Sequence, residues 1–232
     1  MRVLILLIAA ASALWSQDVE RIVARYTRAL GDATKLERLR SLSLVGKMSS
    51  ADGSWKRSFR AWFAGDKVRT ELTLQPGIVA TTWTDGTSGW SIQPWTQSLV
   101  PQPINKAALW RLGAMAHVWR NDLLDLQRRK TLEYIGTEEL DDSDCDKLRS
   151  RHSDGSVWTY YLDPDLGLLV KVTAEAEIGG EAVQWSATFG NYQRIEGVML
   201  PTVLETSSGT ILVEQYGLDE PLDATLFAPP AK

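Results

Sequence analysis

The sequence predicts a mainly β protein: one long antiparallel sheet, apolar on one face, with a single helical insertion. Three observations predict it. Apolar side chains recur at every second position over most of the chain. Turn signals such as Asp52-Gly53, Pro76-Gly77 and Asp85-Gly86 separate the runs. Between Asn105 and Arg129 the apolar spacing switches to the steps of three and four that mark a helix.

The elements follow in order. Asp18 to Leu30 predicts a helix capped by Asp18, with Val19, Ile22, Val23, Tyr26 and Leu30 on one side and Gly31 beyond its end. A shorter helical stretch covers Ala33 to Leu39. Strands then begin, with Leu42, Leu44, Gly46 and Met48 on one face, followed by Trp55, Phe59, Ala61 and Phe63, and by Val68, Thr70, Leu72 and Leu74. Ile78–Thr84 and Gly89–Ile92 complete this half. In the insertion Leu109, Leu112, Ala116, Trp119, Leu123 and Leu126 form an amphipathic stripe, on one helix or on two broken near Gly113. Beyond it lie weak strand candidates at Thr131–Thr137 and Lys147–His152. Clear ones follow around Trp158, Leu168–Ala176, Val183–Phe189, Met199–Thr206 and Thr210–Tyr216. That makes about ten strands in one domain over residues 17–232, and a sheet of that size must close on itself or be covered.

Residues 1–16 carry the marks of a secretory signal peptide. Met1-Arg2 gives a positive start, Val3 to Leu14 is uncharged, and Ala11-Ser12-Ala13 is a small-residue cleavage pattern. No cysteine follows the apolar run, so the expected product is exported, soluble and not lipid-anchored. The formal charge is −4, and this weak acidity argues against nucleic acid as a partner. Tryptophan is unusually frequent, 10 residues against 4 Phe and 6 Tyr, which implies a large apolar space to fill or cover.

Catalytic and metal motifs are missing. The single cysteine, Cys145, excludes an internal disulfide and a cysteine zinc cluster. His152 stands in Arg151-His152-Ser153-Asp154-Gly155, but sequence neighbours point in different directions, and Asp154-Gly155 is a hairpin turn. His117 in the insertion is expected to pack or face solvent. The acidic run Asp141–Asp146 has Lys147 and Ser153 where a calcium loop needs Gly and Glu, so a solvated loop is expected. The sequence predicts no enzyme, metal or cofactor.

Two blocks carry a resemblance. Gln75-Pro76, Asp85-Gly86, Trp90 and Gln93-Pro94 occur in an order that resembles the strand-turn-strand block of the LolA-type periplasmic lipoprotein carriers and their LolA/LolB-like relatives. There an Asp-Gly turn precedes an aromatic strand and a Pro. The tail, Leu222 to Pro230, resembles that family's closing Phe-and-Pro segment. The resemblance implies an unclosed antiparallel β-barrel covered by α-helices, with an apolar cavity for the acyl chains of lipoproteins. It implies a periplasmic, monomeric carrier that takes cargo from an inner-membrane transporter and passes it to an outer-membrane acceptor. The family's lid-locking arginine has no counterpart after Trp62-Phe63-Ala64, where Gly65-Asp66 stands.

The functional expectation is thus a periplasmic carrier of lipoprotein acyl chains or related envelope lipids, moving them towards the outer membrane. The alternative is an envelope lipid-sensing or assembly module without transport. Strand parity names the expected lining: Phe59 and Phe63, Leu72 and Leu74, Trp90 and Ile92, Trp185 and Phe189, with Leu112 and Trp119 closing it from a mobile lid. Trp62 and Thr73 have opposite parity and are expected to face outward.

Overall fold

The computed structural model describes residues 17–119 and 122–230. The expected signal peptide, residues 1–16, lies outside them. The first helix, α1, covers residues 17–30 and buries Val19, Ile22, Val23, Tyr26 and Leu30 as their spacing predicts. Gly31 ends it in the left-handed region (φ +85°), which glycine adopts without strain. A short α2, Ala33–Arg38, is capped by the Asp32 carboxylate, which accepts from the Lys35 amide.

Thirteen strands form one sheet. The first half is β1 (Leu42–Ser49), β2 (Lys56–Ala64), β3 (Lys67–Gln75), β4 (Ile78–Thr84), β5 (Gly89–Ile92) and β6 (Gln102–Pro103). Two helices follow, α3 (Lys106–Trp119) and α4 (Asp122–Arg128). The second half is β7 (Leu132–Leu140), β8 (Ser143–Arg151), β9 (Val157–Leu162), β10 (Leu169–Ile178), β11 (Glu181–Ile195), β12 (Val198–Thr206) and β13 (Gly209–Leu218). Neighbours pair in the order β6-β5-β4-β3-β2-β1-β13-β12-β11-β10-β9-β8-β7, and every ladder is antiparallel.

This order fixes the site. The halves join where β1 meets β13, and β6 and β7 are left as free edges with no ladder between them among the described residues. The chain leaves one free edge and enters the other, so α3 and α4 must cross the gap. α3 packs against β2, β3 and β4 on one side and β10 and β11 on the other, so the sheet curls around it. The result is the unclosed antiparallel barrel covered by helices that the resemblance implies. Both edges are blunted: β6 is two residues long and ends on a proline. β7 carries Glu133, Glu138 and Glu139 and a register shift near Gly136.

Strand parity is as the sequence predicts over most of the sheet. Leu42, Leu44, Phe59, Ala61, Phe63 and Val68 are buried on the inner face of the first half. Trp158, Tyr160, Val172, Ala174, Ala187 and Phe189 do the same in the second, and both sets belong to one core with the helices. Gly46 has a local reason. β1 bulges between Val45 and Gly46, and a Cβ there would lie 2.0 Å from the Leu212 carbonyl oxygen.

Three expectations are corrected. The acidic run is not a loop: only Asp141 and Asp142 form the turn, both at positive φ, and β8 starts at Ser143. Asp146 is buried, and Arg25 of α1 forms an ion pair with it, which pins α1 to β8. The strands number thirteen where about ten are expected: the weak candidates are full nine-residue strands β7 and β8, and β6 is too short, at two residues, to show alternation. The insertion does not break at Gly113: α3 runs through it to Trp119, and α4 begins at Asp122.

Burial holds the phenol pKa values of Tyr26, Tyr192 and Tyr216 well above the ordinary range. Unfolded tyrosine ionises near pH ~10, so the stability these groups contribute is present below that pH and is lost as pH rises above it. In a tyrosinate absorbance titration, at least these three of the six tyrosines should ionise only as the sheet unfolds. Complete ionisation with the far-UV circular dichroism unchanged would contradict this.

Candidate functional site: the covered face and its mouth

The inner face is aromatic and aliphatic, and α3 lies directly on it. Only Lys106, Arg111 and His117 are polar among the 14 residues of α3. Leu112, Ala114, Ala116 and Trp119 are buried, and Trp110, Met115 and Val118 pack against the same core. The helix is therefore apolar on nearly all sides, as an enclosed helix must be, where the sequence suggested a single stripe. The Trp119 ring centroid lies 5.9 Å from that of Phe63 and 5.7 Å from that of Tyr216, bridging the two halves of the barrel. Polar ties between this cover and the rest of the protein include Arg111 Nε donating to the Gln184 carbonyl at 3.2 Å. Arg128 of α4 meets Glu37 of α2 at 3.3 Å.

Most of the predicted lining residues share this face. Phe59 stands opposite Leu72, and Phe63 opposite Val68. Leu74 follows Leu72 in parity but sits where β3 shifts register against β4. Trp185 stands opposite Ala174 and Phe189 opposite Leu204. Leu112 and Trp119 cover them from α3. Trp90 and Ile92 are placed elsewhere. Trp90 pairs with Trp83, and Trp83 with Arg69, while Leu72 pairs with Ala80, so Trp90 and Ile92 lie on the outer face. The cause is space. On the inner side Ile104 and Leu109 close over Gly89, where a Cβ would meet the Ile104 Cδ1 at 2.6 Å. On the outer side the tail covers the Trp83–Trp90 pair: Trp83 Nε1 donates to the Ala228 carbonyl at 2.9 Å.

Among the described residues, the crevices found beneath the helices are small. Beneath the helices there is a crevice of about 40 Å³ between Tyr26, Trp119, Phe189 and Met199. A second, of about 10 Å³, lies beside Leu123 and Trp158. Pockets that hold a small molecule run to ~300–1,000 Å³, so in this arrangement the side chains of α3 occupy the ligand's place.

Open space lies at the mouth of the barrel, where a cleft of about 590 Å³ runs along α3. Lys106, Trp110, Gly113 and His117 line one wall at helical spacing. The β8–β9 turn supplies His152 and Asp154 opposite, and the β2–β3 turn supplies Asp66. Trp158, 2% exposed, forms the floor. Its ring centroid lies 4.9 Å from His117 and 5.5 Å from His152, and the two imidazoles are 5.6 Å apart. His117 Nδ1 pairs with the Asp122 carboxylate of α4, which sets the ring's orientation. Asp154 Oδ1 accepts from the Ser156 amide at 2.9 Å and from its hydroxyl at 2.6 Å. Burial pushes the Asp154 carboxyl up, but these bonds and the nearby His152 and His117 outweigh it and bring its pKa below the usual value.

Both histidines of the chain thus meet in one cleft, which sequence reasoning missed. For His152 a signal exists: the Asp154-Gly155 turn folds it back, and its amide donates to the Ser156 carbonyl, beside Trp158. His117 arrives through the long crossing of α3, which local spacing does not reveal. A second groove, of about 560 Å³, lies between Asp141, Cys145, Lys171 and Glu205. Cys145 there is buried, and burial raises its thiol pKa. Among the described residues, no group of three or more His, Cys, Asp or Glu is placed to hold a metal ion. Nor is any described helix long and apolar enough to cross a membrane.

No family model and no curated protein matches the chain. Solved structures do. A DUF1329 family protein from Desulfovibrio piger superposes over 90% of this chain and 97% of its own, with a TM-score of 0.53 at 15% identity. A LolA superfamily protein from Nitrosomonas europaea covers 84% of this chain and 95% of its own, with a TM-score of 0.48 at 16% identity. At this identity the likeness to the first shows a shared fold and nothing finer.

Gly113 is the one residue of the cleft's helical wall without a side chain. A Cβ there meets no heavy atom within 4 Å. Glycine within a helix costs about 0.5–1 kcal/mol relative to alanine. Gly113→Ala should raise stability by about that amount in urea unfolding. A loss of stability would show that α3 needs the glycine for its backbone.

Proposed function

We propose that the protein carries the acyl chains of lipoproteins or related lipids across the periplasm towards the outer membrane, and that the arrangement described above is its unloaded, closed state. One observation carries the proposal: α3, with three polar residues in 14, runs with α4 between the two free edges of an unclosed barrel and lies on its aromatic inner face. An acyl chain gains ~0.8 kcal/mol for each buried CH₂, in a bilayer and in an apolar cavity alike. Cargo entering beneath α3 would take over contacts that Leu112 and Trp119 now make, so exchange with a membrane is nearly balanced and reversible.

The approach to the lid supports a membrane-side encounter. No charged residue occurs from Gly86 to Asn105. Within that span Trp95, Leu99 and Val100 are exposed by 64, 72 and 63%. This segment leads directly into α3. Export rests on the signal peptide expected in residues 1–16, and an inner-membrane transporter and an outer-membrane acceptor are the partners that such a route needs. The packed interior equally suits an envelope sensing or assembly module whose inner face is plain core, and the test separates the two.

A photoactivatable fatty acid incubated with the purified protein should label the inner face and lid, around Phe63, Trp119, Trp185 and Phe189. It should spare Trp90 and Ile92. Labelling confined to the exposed segment around Trp95, or none, would leave the inner face as plain core and remove the carrier proposal.

A further inference from the structure

We infer that one end of the first half of the sheet docks on the surface of an anionic bilayer, with Trp95, Leu99 and Val100 entering the lipid and Lys56 and Arg57 resting among the headgroups. The inference rests on the carrier proposal for its purpose, and names the surface such a carrier meets and the residues that meet it.

Strand register gathers the parts. Ile92 pairs with Thr81, and the chain then runs on past the start of β4. Ile78 pairs with Gln75, Leu72 with Phe59, and Lys56 with Ser49. The loop between β5 and β6, the β3–β4 turn and the β1–β2 turn therefore stand side by side along one end, ~19 Å across at four strand spacings. Of the seven exposed large apolar side chains among the described residues, four lie on this row: Ile78, Trp95, Leu99 and Val100. Such clustering on an otherwise polar surface marks a contact site.

The backbone of the loop favours lipid over a protein partner. Lipid offers no hydrogen bonds, so a segment that enters it has to satisfy its amides itself. Pro94, Pro101 and Pro103 have no amide hydrogen to satisfy. The Thr96 amide donates to the Gln93 carbonyl at 2.9 Å and that of Gln97 to the Pro94 carbonyl at 3.1 Å. The Val100 amide donates to the Ser98 hydroxyl at 3.2 Å, and the Thr96 hydroxyl to the Gln93 carbonyl at 2.7 Å. Tryptophan is the residue that settles best at the boundary between headgroups and acyl chains.

Charge selects the lipid. The loop has no charged residue, and those of the neighbouring β1–β2 hairpin, from Lys47 to Ser58, are Lys47, Lys56 and Arg57 against Asp52 alone. The Arg57 guanidinium lies 5.2 Å from the centroid of the Trp55 ring, and Lys47 Nζ donates to the Ser58 hydroxyl at 2.9 Å. Asp52 is occupied within its own turn by the Ser50 hydroxyl and the Ser54 amide. An apolar prong beside a basic rim matches an anionic bilayer, where each cation near the surface strengthens binding about fivefold at moderate salt.

The test is flotation of the full chain with vesicles of phosphatidylcholine alone and of phosphatidylcholine mixed with phosphatidylglycerol. The mixed vesicles should bind the protein about tenfold more tightly, and added salt should reduce that preference. Lys56→Gln/Arg57→Gln should bring binding to the two vesicles together. Trp95→Ser/Leu99→Ser, at exposed positions and with an unchanged melting temperature, should lose about tenfold on both. No binding to either vesicle, a preference that survives in the charge variant, or binding undiminished in the apolar variant would each overturn the docking end. So would an apolar variant that only converts a dimer to a monomer in sedimentation, since the occupant is then a second copy of this chain. Photolabelling of the inner face by a fatty acid separates the two readings. Vesicle binding without that labelling removes the carrier proposal and leaves the docking end, and labelling without vesicle binding does the reverse.

Discussion

An antiparallel sheet that is apolar on one face and does not close has to be covered, and the rest of this structure follows from that constraint. The free edges are β6 and β7, and the chain passes from one to the other, so its own connection spans the opening. That connection must be long, must be helical to satisfy its backbone, and must be apolar where the barrel encloses it. α3 meets all three demands, with only three polar residues in 14. Trp119 shows the consequence most plainly, held between Phe63 of one half of the barrel and Tyr216 of the other.

The same cover is fastened unevenly. α1 is fixed by its buried face and by the half-buried ion pair of Arg25 with Asp146. α3 rests on the sheet largely through apolar contact; among the described residues Arg111 and Arg128 tie the helices to the rest of the protein, and the His117–Asp122 pair joins α3 to α4. Apolar contact is not directional, so an acyl chain can replace it without leaving polar groups unpaired. A helix held this way can be firmly seated when empty and still be displaced by lipid. The crevices found beneath it among the described residues, of about 40 and 10 Å³, are too small for an acyl chain while the helix is seated.

Much of this was legible in the sequence. Period-two alternation gave the inner face of β1, β2, β3, β10 and β11, because a residue's side of a strand depends only on parity. The switch to helical spacing gave the insertion. Parity does not say which face of a strand turns inward, however, and Trp90 and Ile92 lie on the outer face, where the tail packs on the Trp83–Trp90 pair. The end of α3 was also hidden, since an apolar spacing that continues from Trp119 to Leu126 looks the same with or without a break. The mouth was least legible. Lys106, His117, His152 and Asp154 come from segments far apart in sequence, and only the crossing of α3 over the open side brings them together.

The central claim is that α3 and α4 form a displaceable cover over a firmly built sheet. Amide hydrogen exchange, followed by mass spectrometry with and without bound lipid, measures this directly. The account predicts that α3 and α4 exchange well before β10 in the lipid-free protein, and that lipid changes their exchange while β10 stays as it was. If α3 is protected as strongly as β10 and lipid alters neither, the helices are part of a fixed core and the account is contradicted.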